Sequence, residues 1–335
     1  MRAENPTVDR KFTSLVVAPV KYFAMALRAV TPPPAADSRG GHRSFGRALL
    51  VSCRPKQWVK NSFLLVPATF AQVTAGIRFF HLGAAFVAFC LGSSALYLVN
   101  DVTDRELDRL HVRKRNRPIA TGELAVGAAY SVAAAFLLAG LALAAWASAA
   151  TGALLALYVV LTLAYSWRLK HIVVLDVLIL SSGFVIRVAA GAYALNLEPS
   201  EWLLTCAMFL ALFLGFGKRR HELLDLGDAA GTHRPVLADY TRELLDQFLN
   251  ASMMGALLAY SMYTFFSPTA SVHGTSMMAT IPFAVYGLFR YSMLIHMKGG
   301  GGSPEEILLS DRPMQLAVLL WGLVGAFVVY GPRLS

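Results

Sequence analysis

The chain is 335 residues long, with 56% of them apolar and only 15% charged, against roughly 25% charged in a soluble globular protein. Long apolar segments recur along the whole length, which excludes a soluble fold and predicts an all-α, polytopic membrane protein. The formal net charge of +10 comes without zinc-finger spacing, an RNA-recognition aromatic motif or a separable basic domain, which argues against nucleic acid as a partner.

Residues 1–44 read as an extension to the main domain, interfacial or flexible. "KFTSLVVAPVKYFAMALRAV", starting at Lys11, is apolar and basic but broken by Pro19 and Lys21, which suits an interfacial segment better than a signal-peptide core. "TPPPAADSRGGHRS" then reads as a linker. Residues 45–335 form the transmembrane domain. Windows of about twenty apolar residues predict nine spans, near 61–77, 82–100, 124–145, 148–166, 173–194, 201–217, 248–267, 277–297 and 314–331. The first is the least regular, since it contains Pro67, Gln72 and Thr74.

With the start of the first span in the cytoplasm, segments 1–60, 101–123, 167–172, 218–247 and 290–313 hold 27 of the 30 Lys and Arg residues. The positive-inside rule therefore orients a multi-pass plasma-membrane protein, with attraction to anionic membrane lipid as a secondary effect. Cys53, Cys90 and Cys206 fit no metal spacing and read as small buried residues.

The polar chemistry gathers on that cytoplasmic side. "CRPKQWVKN" opens the first span with Arg54, Lys56, Lys60 and Asn61. The second span ends in "YLVNDVTDRELDRLHVRKRNRPIATGEL", where Asn100, Asp101, Asp104 and Asp108 continue its helical rotation. Positions 101, 104 and 108 are i, i+3 and i+7, so three carboxylates share one face. Like charges so placed call for a cation between them, and oxygen donors without His select Mg²⁺ or a similar hard ion that shares its shell with substrate phosphates. The alternative is a solvated helix end whose acids pair with Arg105, Arg109 and Arg113. Arg113, Lys114, Arg115 and Arg117 follow, either as positive-inside patterning or as the cationic half of a diphosphate clamp.

The fourth span ends in "AYSWRLKHIVVLD", with Tyr165, Arg168, Lys170, His171 and Asp176, and the sixth in "GFGKRRHELLDLGD", with Lys218, Arg219 and Arg220. Arg187 sits near the middle of the fifth span, where a cation costs about 2.5–3.5 kcal/mol. It is expected to face a polar cavity or a phosphate, or to pair with an acid such as Asp176. "GGGGSPEEILL" carries a capping box, Ser303, Pro304 and Glu306, for a short interfacial helix. No glycine run matches a P-loop or a Rossmann fingerprint.

"NDVTDRELDR…NRPIATGEL" is similar to the first signature, N-D-x-x-D-x-x-x-D, of the UbiA superfamily of intramembrane prenyltransferases, and the span layout agrees over about residues 45–332. The resemblance implies a UbiA-like helical bundle that holds a diphosphate through Mg²⁺, with Asp101, Asp104 and Asp108 as metal ligands and catalytic residues. The family's second Asp-rich motif is reduced here to Asp176. "RPKQWVKN", "GFGKRRHEL", "HRPVLADYT" and "GGGGSPEEILLSDRP" resemble the branch that moves phosphoribose from phosphoribosyl diphosphate to decaprenyl phosphate, a polyprenyl phosphate, for cell-wall arabinan synthesis. On that likeness Lys56, Lys60, Arg117 and Lys170 neutralise the remaining phosphate charge, and Asn61, Asn100, Tyr165, Asp176, Arg187 and Lys218 complete the substrate site. A homotrimer is implied as well. The runner-up activity is prenyl transfer to an aromatic quinone or haem precursor. A secondary transporter fits less well, because the charges crowd one face rather than the midplane.

Overall fold

Apolar backbone in lipid has no water to satisfy its N–H and C=O groups, so Ala- and Leu-rich runs of this length fold as helices that pair every group internally. The computed structural model describes residues 43–70, 76–111, 114–227, 235–267, 274–297, 307 and 310–331. The expected extension before residue 43, Arg113 and the 303–306 capping box lie outside them. The described residues contain no strand.

Helix α1 (Phe45–Cys53) leads into a 3₁₀ stretch, Pro55–Leu65, and a short α2 (Val66–Phe70). Then come α3 (Gly76–Thr103), α4 (Arg105–Leu110), α5 (Pro118–Thr121), α6 (Val126–Ala147) and α7 (Ala149–Trp167). The series ends with α8 (Leu175–Ala194), α9 (Glu201–Leu226), α10 (Arg242–Phe266), α11 (Ile281–Met297) and α12 (Arg312–Tyr330). Among the described residues, seven helices are long and apolar enough to cross a membrane: α3, α6, α7, α8, α9, Ser276–Met297 and α12.

Two expected spans differ in kind from these seven. The first is the 3₁₀ stretch and α2 rather than one regular helix, because Arg54 turns left-handed (φ 52°) and Pro55 follows it. The 248–267 span coincides with α10 up to its C-cap at Ser267, and the 25 residues of α10 reach about 38 Å, ample for a bilayer. Polar residues lower its hydropathy, yet they face protein: the Tyr260 and Thr280 hydroxyls pair at 2.6 Å, and the Trp321 indole donates to Tyr260 at 2.7 Å.

Local chemistry sets the corners. Ser148 separates α6 from α7 and caps α7 by accepting from the Thr151 N–H at 3.0 Å. Asp311 caps α12 by accepting from Met314 N–H at 3.0 Å, and it also binds Arg290 of α11 at 2.9 Å. Successive helices pack as antiparallel neighbours, α3 on α6, α6 on α7, α7 on α8, α8 on α9 and α9 on α10. The C-terminal ends of α3, α7 and α9 therefore gather at one end of the bundle with the starts of α6, α8 and α10.

Small residues let these helices approach closely. At Gly191 of α8 a Cβ would lie 2.0 Å from the Leu64 carbonyl, so only glycine allows the 3₁₀ stretch to rest on α8. That contact lays Asn61 against the fifth expected span.

Candidate active site

The Asp motif straddles a break between α3 and α4 at Asp104 (φ −88°, ψ 4°). Helical hydrogen bonding runs through it: Asp104 N–H donates to the Asn100 carbonyl at 2.9 Å, and Asp108 N–H to the Asp104 carbonyl at 2.8 Å. The rotation is preserved, and Asp101 and Asp108 are 3% and 2% exposed. The chain then doubles back through a 3₁₀ turn, Lys114–Asn116, to α5, for which Arg117 is the N-cap residue.

This return puts Arg117 between the two acids. Its Nη1 donates to Asp101 Oδ1 at 3.1 Å and to Asp108 Oδ2 at 2.6 Å. Arg54 reaches the same Asp101 Oδ1 through Nη2, with its guanidinium 4.8 Å over the Tyr97 ring. Lys114 Nζ is 3.9 Å from Asp108 Oδ1. Two carboxylates taken out of water repel each other and lose hydration, and these cations offset both effects. Asp104 is half-buried and takes no part in these ion pairs.

The donor chemistry fits a hard divalent ion, because two buried carboxylates already converge on a single cationic nitrogen with oxygen atoms alone. Among the described residues no three His, Cys, Asp or Glu side chains stand close enough to hold a metal as they are. Arg117 occupies the place between the pair.

The other expected residues distribute unevenly. Lys56 is exposed, Lys60 half-buried and Asn61 buried, all on the 3₁₀ stretch. Asn100 is half-buried beside Asp101. Tyr165 closes α7, Lys170 lies in the 3₁₀ turn after it, and Lys218 is exposed on α9.

Asp176 and Arg187 have other partners than expected. Asp176 is 0% exposed and accepts from Arg219 Nε at 2.7 Å and from the Tyr240 hydroxyl at 2.9 Å. Tyr240 in turn accepts from Val174 N–H at 2.7 Å. Burial first, and then the Asp176 carboxylate, push the Tyr240 phenol above its ordinary value. Arg187 does not pair with Asp176. Its Nε donates to Asn61 Oδ1 at 2.8 Å, Nη1 to the Gly183 carbonyl at 2.8 Å and Nη2 to the Tyr158 hydroxyl at 2.9 Å. Three of the five guanidinium N–H donors are thereby engaged by protein groups.

Arg54, Arg219 and Tyr240 are the residues that sequence reasoning did not assign to these clusters. Their partners are 43 to 64 positions away, and nothing local marks them.

A polytopic helical membrane protein with paired acids and arginines at one end of the bundle is thus defined by its own geometry. Residues 63–302 match the UbiA prenyltransferase family, and the chain belongs to it: it is a membrane-embedded transferase. It is 36% identical to the decaprenyl-phosphate phosphoribosyltransferase of Mycolicibacterium smegmatis, over 88% of this chain and 97% of that one. It is 35% identical to the enzyme of the same name from Corynebacterium glutamicum, over 86% of this chain and 88% of that one. Its fold matches a UbiA homolog from Archaeoglobus fulgidus, solved with GPP and Mg²⁺, with a TM-score of 0.64 and 21% identity, over 84% of this chain and 99% of that one.

Proposed function

We propose that the enzyme transfers 5-phosphoribose from phosphoribosyl diphosphate to decaprenyl phosphate, with Mg²⁺, on the cytoplasmic face of the plasma membrane. The product, decaprenylphosphoryl-5-phosphoribose, supplies cell-wall arabinan synthesis. The observation that carries this reading is the convergence of Arg54 and Arg117 on buried Asp101 and Asp108. Such a site takes a charged diphosphate, and the similar enzymes named for phosphoribosyl transfer give the sugar.

Asp101 and Asp108, with Asp104 beside them, would hold the ion, and Mg²⁺ when bound supplies Lewis-acid neutralisation of the departing diphosphate. Arg54, Arg117 and Lys114 hold the diphosphate oxygens, guanidinium groups being suited to bidentate phosphate contacts. Lys56, Lys60 and Lys170 bring further positive charge for the 5-phosphate. A polyprenyl phosphate oxygen forms a bond to C1 as the C1–diphosphate bond breaks, and inversion there gives a β-linked product. The acceptor is already anionic near neutral pH, with a second pKa of about 6, so no general base is needed. Fixed charges and positioning supply the rate.

Prenyl transfer to an aromatic acceptor through two carboxylate clusters is disfavoured by Asp176, whose oxygens serve Arg219 and Tyr240. The test is a transfer assay on purified protein in detergent, with decaprenyl phosphate, Mg²⁺ and ribose-labelled phosphoribosyl diphosphate. Label is expected in the lipid phase only when Mg²⁺ and acceptor are both present, and Asp101→Asn is expected to remove at least about 99% of it, a loss of roughly 2.7 kcal/mol or more of transition-state stabilisation. Turnover of a prenyl diphosphate with an aromatic acceptor instead would overturn the proposal.

A further inference from the structure

Among the described residues, one side chain joins Asp101 and Asp108. Arg117 Nη1 touches both carboxylates, whereas Arg54 reaches Asp101 alone and Lys114 stands off Asp108 at 3.9 Å. Taking Arg117 away removes the contact shared by the two acids, leaving Arg54 on the same Asp101 oxygen and Lys114 at 3.9 Å from Asp108. Arg117 is 26% exposed, against 30% for Arg54 and 45% for Lys114, and it sits on a return between a three-residue 3₁₀ turn and the four-residue α5, so its side chain swings without displacing a span.

We propose that Arg117 is an exchangeable counter-cation. In the metal-free protein its guanidinium holds the place between Asp101 and Asp108. A divalent ion arriving with a diphosphate takes that place, and the freed guanidinium turns onto the diphosphate oxygens. The inference rests on the reading that Asp101 and Asp108 bind the metal.

Three physical points support the exchange. Two buried carboxylates this close cannot both stay ionised without a cation, so the empty protein needs a resident one. A metal arriving alone must displace that cation into water and gains little. A metal arriving with diphosphate gives the guanidinium a bidentate acceptor in return, so both cations keep an anionic partner. The outcome is a site that binds metal and diphosphate together and neither strongly alone, which keeps the reactive centre unassembled until substrate is present.

The test uses the full chain in detergent and equilibrium dialysis of Mn²⁺, with and without inorganic diphosphate, so no turnover is involved. The wild type is expected to bind Mn²⁺ weakly alone and much more tightly with diphosphate. Arg117→Gln is expected to bind Mn²⁺ alone more tightly, on the order of tenfold from removing one positive charge at contact range, and to lose most of the further gain from diphosphate. Arg117→Lys keeps the charge but not the fork. It should shift Mn²⁺ affinity in the same direction by less, and it carries the test if the glutamine variant does not fold. Mn²⁺ affinity unchanged or weaker in these variants, with Asp101→Asn abolishing binding, overturns the exchange and leaves the metal reading standing. Mn²⁺ binding that ignores both Asp101→Asn and Asp108→Asn overturns the metal reading, and the exchange with it.

Discussion

Arg187 carries a full charge within a membrane span, 5% exposed, and its hydrogen-bond partners are a side-chain amide, a carbonyl and a phenol. Its guanidinium also lies 4.5 Å from the Tyr158 ring centroid and 5.6 Å from that of Phe184. Neutral dipoles and ring faces therefore disperse the charge, and each nitrogen ties α8 to something different: Asn61 of the 3₁₀ stretch, α7 through Tyr158, and its own preceding turn. Lysine carries its three donors on a single nitrogen, so it cannot span the partners that three separate guanidinium nitrogens reach. Arg187→Lys is expected to destabilise the protein by on the order of 2–3 kcal/mol, the scale of lost hydrogen bonds to a charged group. The thermal midpoint in detergent should fall while the KM for phosphoribosyl diphosphate stays at the wild-type value. A raised KM with an unchanged midpoint would put Arg187 at the substrate after all.

The connection from α7 to α8 shows how a short element is held by a distant one. Val174 adopts φ 66°, ψ −45°, a γ-turn conformation closed by the Leu175 N–H on the Val173 carbonyl, which a β-branched residue takes only under compulsion. The compulsion comes from Tyr240, whose hydroxyl accepts from the Val174 N–H and donates to Asp176, with Arg219 of α9 on the other carboxylate oxygen. Tyr240→Phe leaves Val174 N–H without this acceptor and Asp176 short of a donor, at a cost of about 1–3 kcal/mol. The titration follows the same logic. A phenol whose folded pKa lies above its unfolded value of about 10 binds its proton more firmly in the folded state. Its contribution is complete below pH of about 10 and is lost as pH rises beyond that. Midpoints measured from pH 8 to 11 should fall with rising pH in the wild type and fall less steeply in Tyr240→Phe. Parallel curves for the two proteins would remove Tyr240 as the source.

At the scale of the whole molecule, what could be read from sequence was what repeats locally. Apolar length marks spans, and the i, i+3, i+7 spacing of Asp101, Asp104 and Asp108 survives because hydrogen bonds cross the break at Asp104. The irregular first span was visible in Pro67 and Gln72, but its seat on α8 depends on the Leu64 backbone meeting Gly191, a contact between distant segments. Arg54, Arg219 and Tyr240 likewise take their roles from helix packing, which no spacing encodes. Asp176 could be read as the one acid left of a second motif, but its partners Arg219 on α9 and Tyr240 just before α10 could not.

Charge placement, by contrast, makes a claim about the entire chain that packing does not test. A sugar diphosphate cannot cross lipid, so the proposed reaction requires the Asp101 end of the bundle to face the side where that substrate is made, and the 27 Lys and Arg residues of the N-terminal segment and four connections point the same way. Two single-cysteine probes decide it. Thr121 is exposed at the Asp101 end, and Glu198 is exposed in the connection between α8 and α9 at the other end. The native thiols make a quiet background, since Cys53 is buried and its pKa is raised by that burial, while Cys90 and Cys206 lie within spans. A membrane-impermeant maleimide should label Thr121→Cys only in inside-out vesicles and Glu198→Cys only in right-side-out ones. The reverse pattern would put the arginine and aspartate cluster outside the cell. Phosphoribosyl diphosphate could not then reach it from the cytoplasm, and the proposed reaction would fail on topology before any residue of the site was mutated.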